Sequence, residues 1–480
     1  MSGAPARMPR PAPDLKLLTA LYVLEASAWL AVVASYGSGA RALLALSPGP
    51  TGIVLLVACL AALAAAVIIV RSYRARARGA ARRFGLTVAL NLVPMLLLLA
   101  IGEATIRLMS EPTPRGLVFA KTVLLPHNWR DVAARNEAVL ARLAAEGSHL
   151  APDGLLGWVL GPDRRSADGL YMSSVEGIRS ARKGDAAATR LSRQRVALVG
   201  DSFTFGLDVS YEDSWGHRLE RQLGPDVQVL NFGVEAYGVD QAYLRYLRDV
   251  RPWRPQVVIL GLIDHDLRRS MAVYFFLSFP GWDYPFAKPR FAADRGDLRL
   301  LNAPLPSPEA IAVTPSIGEL PFVEYDPGYR AEEWIRRPLD RSYLHRFAVS
   351  KYRDLVVASG PVEAQMLELN REIVRAFVRQ TRAEGSLPIV AYFPSDRNFR
   401  ALARDRRWQS VGQTMLDGSG VPFVDMTPCL TPLSPAERFP ADGRNHFAPA
   451  ANAAIAACLR DSVRGLLSRA PGPAAPASRP

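Results

Sequence analysis

The sequence predicts an α/β domain on a parallel sheet, preceded by three membrane-spanning helices. Three observations predict this. From Arg195 onward, short β-branched runs alternate with helical stretches, the pattern of parallel strands joined by crossover helices. Before residue 110 lie three apolar segments of about 18–20 residues, each long enough to cross a bilayer core. Between these regions, the run Arg195–Val199 ends in Gly200-Asp201-Ser202, which lifts a serine hydroxyl to the carboxyl edge of the sheet, where open α/β sheets carry their chemistry.

The apolar segments come first. Leu17–Tyr36 carries only Glu25, Ile53–Val70 carries no charge, and neither does Phe84–Gly102. Three buried helices of a globular core are the competing reading; soluble helices of this length rarely lack charge. The flanks set an orientation. Arg7, Arg10 and Lys16 precede the first segment, Arg41 alone follows it, and the next loop carries Arg71, Arg74, Arg76, Arg78, Arg82 and Arg83 with no acid. Basic loops stay cytoplasmic, so the N-terminus is expected inside and everything after Gly102 outside. Of the net charge of +13, residues 1–110 hold +8 and the rest only +5, which is no nucleic-acid signature. Cys59 falls in the second segment. Cys429 and Cys458 either pair in an oxidising space or remain two buried thiols.

Strands are expected at Val196–Val199, Val227–Phe232, Val257–Leu260, Pro388–Phe393 and Pro422–Met426. Helices are expected at Ser214–Leu223, Gln241–Val250, Val362–Glu384, Phe399–Leu416 and Pro449–Leu467, with an amphipathic helix over Trp129–Gly147. The chain then divides into a membrane anchor over 1–110 (spans 17–36, 52–70 and 84–104), a connector over 111–193, and the α/β domain over 194–468. A proline- and aromatic-rich insertion occupies 267–361, either a lid or groove beside the catalytic edge or a small subdomain packed on itself. Residues 469–480 have the composition of a disordered tail.

A serine needs a base at neutral pH, and the chain offers six histidines. His446 is best placed. It lies in a turn-rich loop just before the last helix, and Asp442 in the same loop can orient it. With these residues in view, the stretch from about Arg195 to Leu467 resembles the SGNH (GDSL-type) hydrolase family. The resemblance implies a flavodoxin-like three-layer parallel sheet. Gly200-Asp201-Ser202 matches the first block and makes Ser202 the nucleophile, its N–H part of the oxyanion hole. Leu230-Asn231-Phe232-Gly233-Val234 matches the second and gives Gly233 as an oxyanion donor. Asp442 and His446 match the last, although their spacing is one residue longer than the family pattern. The third block normally supplies an asparagine amide; here His265 takes its place in Ile263-Asp264-His265-Asp266, either as a donor to the oxyanion or paired with Asp264 or Asp266. Gly157-Trp158 and Ser173–Arg179 look like the lead-in of membrane-tethered extracytoplasmic members, some of which act on acylated envelope polysaccharides.

The expected function is therefore a membrane-anchored serine esterase outside the cytoplasm, using Ser202, His446 and Asp442 with no metal or cofactor. Its expected partners are the bilayer and an acylated carbohydrate, with envelope polysaccharide machinery nearby. An O-acyltransferase, a lipid esterase and a non-catalytic assembly protein on a degenerate hydrolase fold are the alternatives.

Overall fold

The structure, a computed structural model, describes Val93 and residues 96–190, 192–294, 296–356 and 360–469. The expected spans 17–36 and 52–70 lie outside these residues, as do most of 84–104 and the tail beyond Arg469. Among the described residues no helix is long and apolar enough to cross a membrane. The chain forms two units: residues up to His127 with 333–358, and residues 128–332 with 359 onward.

In the first unit a helix over 96–109 exposes Leu96, Leu97, Leu98 and Ile101. Glu103 on this helix accepts hydrogen bonds from the amides of Tyr343 and Leu344, at 3.0 and 2.9 Å, and so caps the helix Tyr343–Val356. A three-stranded antiparallel sheet spans Glu111–Val123.

The second unit contains the expected sheet. Its strands are β1 (Gln194–Val199), β2 (Val227–Asn231), β3 (Val257–Leu262), β4 (Leu387–Tyr392) and β5 (Val424–Asp425). All pair in parallel in the order β5-β4-β3-β1-β2. This is the flavodoxin-like 2-1-3-4-5 arrangement, with its switch point between β1 and β3. Successive strand residues face opposite sides, so the sheet buries two separate apolar faces. Val196, Leu198, Val257 and Ile259 pack with helices α2 (Trp215–Leu223) and α6 (Pro449–Leu467). Ala197, Val199, Val258 and Leu260 pack with α3 (Val239–Arg245) and α5 (Gly360–Ala383).

Three expectations change. Leu156, Trp158, Leu160 and Ile178 share a buried cluster with Ala197 and Val199, so much of the supposed connector is core. The insertion divides between the units at residue 333. The helix expected over Phe399–Leu416 is two helices, Asp396–Arg404 and Val411–Ser419, because Ser410 accepts from the Gln413 amide at 3.0 Å and starts a new helix.

Cys429 and Cys458 are disulfide-bonded across a sequence separation of 29 residues. Replacing both by serine is expected to lower stability by about 3–4 kcal/mol from chain entropy alone. Urea unfolding of the wild type with and without a thiol reductant checks this; identical midpoints would mean that the bridge carries no stability.

Candidate active site

The site is built at the carboxyl end of β1. Gly200 leaves the strand with φ of +155°, and a Cβ there would lie 2.2 Å from Thr204 Oγ1 and 2.5 Å from the Gly261 carbonyl oxygen. Only glycine lets the chain turn this tightly against β3. Asp201 then caps the short helix α1 (Ser202–Phe205), accepting from the Phe203 amide at 2.9 Å. Ser202 is the first residue of that helix, and its N–H makes no hydrogen bond among the described residues.

His446 reaches this turn from the loop before α6. Its Nε2 stands 2.9 Å from Ser202 Oγ, and its Nδ1 stands 2.8 Å from Asp208 Oδ2. The two side chains of the His446–Asp208 pair are only 16% and 19% exposed, so the contact is shielded from most solvent screening. Asn452 fixes the loop. Its amide donates to the carbonyls of Phe447 and Ala448, and its Oδ1 accepts from the Trp215 amide at 3.0 Å. Trp215 in turn donates from Nε1 to the Phe203 carbonyl at 3.0 Å, which ties α2 to α1.

The carboxylate beside His446 is not the expected one. Asp442 is exposed, and its carboxylate accepts from Arg444 Nε at 2.8 Å rather than from His446. The Arg444 hydrogen bond holds the Asp442 carboxyl below its usual pKa. Sequence reasoning missed Asp208, six residues after the serine. It adopts the left-handed conformation, φ +68°, which aspartate tolerates better than most residues and which turns its carboxylate back toward His446. Two neighbours hold it there. Its N–H donates to Tyr171 Oη at 2.9 Å, and Arg179, stacked 4.2 Å over Phe205, donates to the Val209 carbonyl at 2.9 Å. Burial pushes the Tyr171 phenol up to about 12, so it stays protonated. One signal was available: Asp208 is the only acid between Ser202 and Tyr211, whereas Asp442 has an arginine two residues on to compete for it.

The other expected donors are differently placed. Gly233 abuts α1, where a Cβ would lie 2.6 Å from the Phe205 nitrogen. Its N–H donates to Asn231 Oδ1 at 2.9 Å, within its own turn. His265 sits at the start of α4 (Asp264–Arg269), exposed, and makes no hydrogen bond or ion pair among the described residues. It pairs with neither flanking acid. Asp264 accepts from Tyr392 Oη, Asn398 Nδ2 and the Gly412 amide, while Asp266 accepts from the Ile263 amide and Arg269. Although the residue as a whole is exposed, partial burial of its ring, with the nearby Arg269, lowers the His265 pKa, so the imidazole is neutral at pH 7.

Beneath the serine lies a buried charge cluster. Arg269 Nη1 donates to Asp201 Oδ2 at 3.3 Å and Asp266 Oδ1 at 2.8 Å, and all three side chains are at most 2% exposed. Among the described residues no group of histidines, cysteines and acids could hold a metal ion.

No family model matches the chain, and no curated protein is significantly similar to it. Solved structures with some likeness include a lipase/acylhydrolase from Enterococcus faecalis, at 14% identity and a TM-score of 0.30 over 59% of this chain and 100% of that one. An acetylxylan esterase from Geobacillus stearothermophilus matches at 15% identity and a TM-score of 0.29, over 57% of this chain and 95% of that one. A protein assigned to the lipolytic G-D-S-L family, from Desulfitobacterium hafniense, matches at 13% identity and a TM-score of 0.29, over 57% and 99%.

Proposed function

We propose that the chain is a serine ester hydrolase, anchored in a membrane, that removes O-acyl groups from an extracytoplasmic carbohydrate. One observation carries the catalytic part: the continuous chain Asp208–His446–Ser202, at 2.8 and 2.9 Å, beside an unengaged Ser202 N–H. His446 Nε2 takes the proton of Ser202 Oγ as the oxygen bonds to the ester carbonyl carbon. Asp208 holds the Nδ1–H and stabilises the imidazolium. The Ser202 amide donates to the oxyanion, with neutral His265 available as a further donor and Gly233 sharing its N–H with Asn231. His446 returns its proton to the departing alkoxide, which leaves as the alcohol. Water, deprotonated by His446, then attacks the acyl-serine and releases the carboxylic acid and free Ser202.

The compartment rests on two supports: the arginine loop over 71–83, which orients the segments around it, and the Cys429–Cys458 disulfide, which suits an oxidising space. A fluorophosphonate probe tests the catalytic part. The wild type is expected to be labelled at Ser202 and to hydrolyse an aryl acetate, and Ser202→Ala to lose both. An unlabelled wild type would falsify catalysis. Acetyl transfer to an added oligosaccharide that outpaces hydrolysis would instead favour the acyltransferase.

A further inference from the structure

The aromatic insertion leaves some of its rings only partly covered, among them Trp282, which meets Phe275 and Tyr284 with ring centroids 6.1 and 6.3 Å apart. Phe275, Phe276 and Phe286 are at most 4% exposed, whereas Trp282 is 41% exposed. Phe322 and Tyr325 are exposed to a similar degree and pack on each other, with ring centroids 6.4 Å apart; Trp282 is distinguished by its contact with Arg269.

Trp282 is exposed yet held in place. Arg135 and Arg142 lie seven residues apart on the helix Trp129–Glu146, and thus on one face of it. Arg135 donates to the Pro280 carbonyl at 2.8 Å and to Asp283 Oδ1 at 2.9 Å, and Arg142 donates to Asp283 Oδ2 at 2.6 Å. The Trp282 N–H donates to the Phe279 carbonyl at 3.0 Å. The loop is therefore fastened on both sides of the indole.

Its contacts lead to both ends of the ester site. In one direction the indole lies over Arg269, 5.4 Å from the ring centroid, and Arg269 bonds Asp201, the neighbour of Ser202. In the other, Trp282 and Tyr284 have ring centroids 6.3 Å apart, and Tyr284 Oη donates to Glu235 Oε2 at 2.9 Å, two residues beyond Gly233. Glu235 also meets His149 Nε2 at 2.5 Å.

We propose that Trp282 is a stacking platform for a sugar ring of the substrate. This rests on the ester-hydrolase reading of Ser202 and assigns the alcohol half of that substrate. An indole offers a flat apolar face about as wide as one pyranose, and a pyranose offers a C–H face rimmed by hydroxyls. A fatty chain would need a continuous apolar strip, but here the charged groups of Arg269, Arg135 and Asp283 flank the ring, and Phe275 and Phe286 are buried.

Trp282→Ala and Trp282→Phe are compared with the wild type on an acetylated cello-oligosaccharide, 4-nitrophenyl acetate and 4-nitrophenyl palmitate. Trp282→Ala is expected to lower kcat/KM on the oligosaccharide by about 10–100-fold, mainly through KM. On 4-nitrophenyl acetate the change should stay within about twofold, and Trp282→Phe should recover part of the loss. Equal loss on all three esters, or none on any, overturns the platform; loss on the palmitate alone assigns the ring to a lipid chain. Calorimetric binding of the unacetylated oligosaccharide to Ser202→Ala protein, with and without Trp282→Ala, separates the two readings. Trp282-dependent binding without esterase activity would retain the platform and remove the hydrolase, and absence of binding in both removes the platform.

Discussion

Asp208→Asn is expected to lower kcat/KM for ester hydrolysis by about 10⁴-fold, and Asp442→Asn to change it by less than about fivefold. The contrast follows from what each carboxylate touches. Asp208 accepts the Nδ1–H of His446 at 2.8 Å, and this fixes the tautomer in which Nε2 is free to take the serine proton. An asparagine there can turn its NH₂ toward Nδ1, which places the ring proton on Nε2 and blocks proton transfer from Ser202. Asp442 is engaged by Arg444, whose Nη1 also reaches the Asp208 carbonyl at 3.3 Å, so its contribution to the site is an exposed latch on the loop. Steady-state kinetics of the two variants on an aryl acetate decide between them. The opposite ranking would restore Asp442 as the orienting acid.

The second large effect is on stability. Arg269→Met is expected to cost about 3–5 kcal/mol, because it leaves Asp201 and Asp266 buried without their shared cation. The deficit should depend on pH. Burial, together with the Asp201 charge, already raises the Asp266 pKa well above the ordinary carboxylate value. A raised folded-state pKa makes the protonated form the favourable one, so the penalty is absent below the unfolded pKa and grows as pH rises through the folded one. Removing Arg269 raises that pKa further. Urea unfolding at pH 5 and pH 8 should show the larger deficit at pH 8, and an equal deficit at both would assign the loss to packing alone. Asp266→Asn in the Arg269→Met background should return part of the stability.

Much of this architecture is written locally in the chain. Strands β1 to β4 carry apolar, largely β-branched stretches buried on both faces, which is how parallel strands must read, whereas the two-residue β5 is half-buried. The last helix starts at Pro449 as expected, because proline suits the first helical turn. Ser202 and His446 were legible from the turns that carry them. The break at Ser410 had a local signature too, Ser410 followed by Gln413, but a helical period running across it masked the cap. Asp208 had none of comparable strength. Its role depends on a left-handed backbone angle and on a histidine 238 residues away, neither of which a local pattern encodes. His265 was open in the sequence for the same reason. Whether it paired with Asp264 was decided by Tyr392, Asn398 and Gly412, all distant in sequence, which take that carboxylate first.

The bridge between Cys429 and Cys458 has one more consequence. The residues it encloses include His446, so the imidazole that meets Ser202 sits on a span whose ends are joined only after oxidation. Ser202 and Asp208 need no such fastening, being part of one short turn. Before that bond forms, the span is still held by the contacts of Asn452 with Phe447, Ala448 and Trp215, so the bridge reinforces a loop already fastened at one point. The reduced protein of the unfolding comparison should accordingly lose aryl acetate hydrolysis at a lower temperature than the oxidised protein, and match it again on reoxidation.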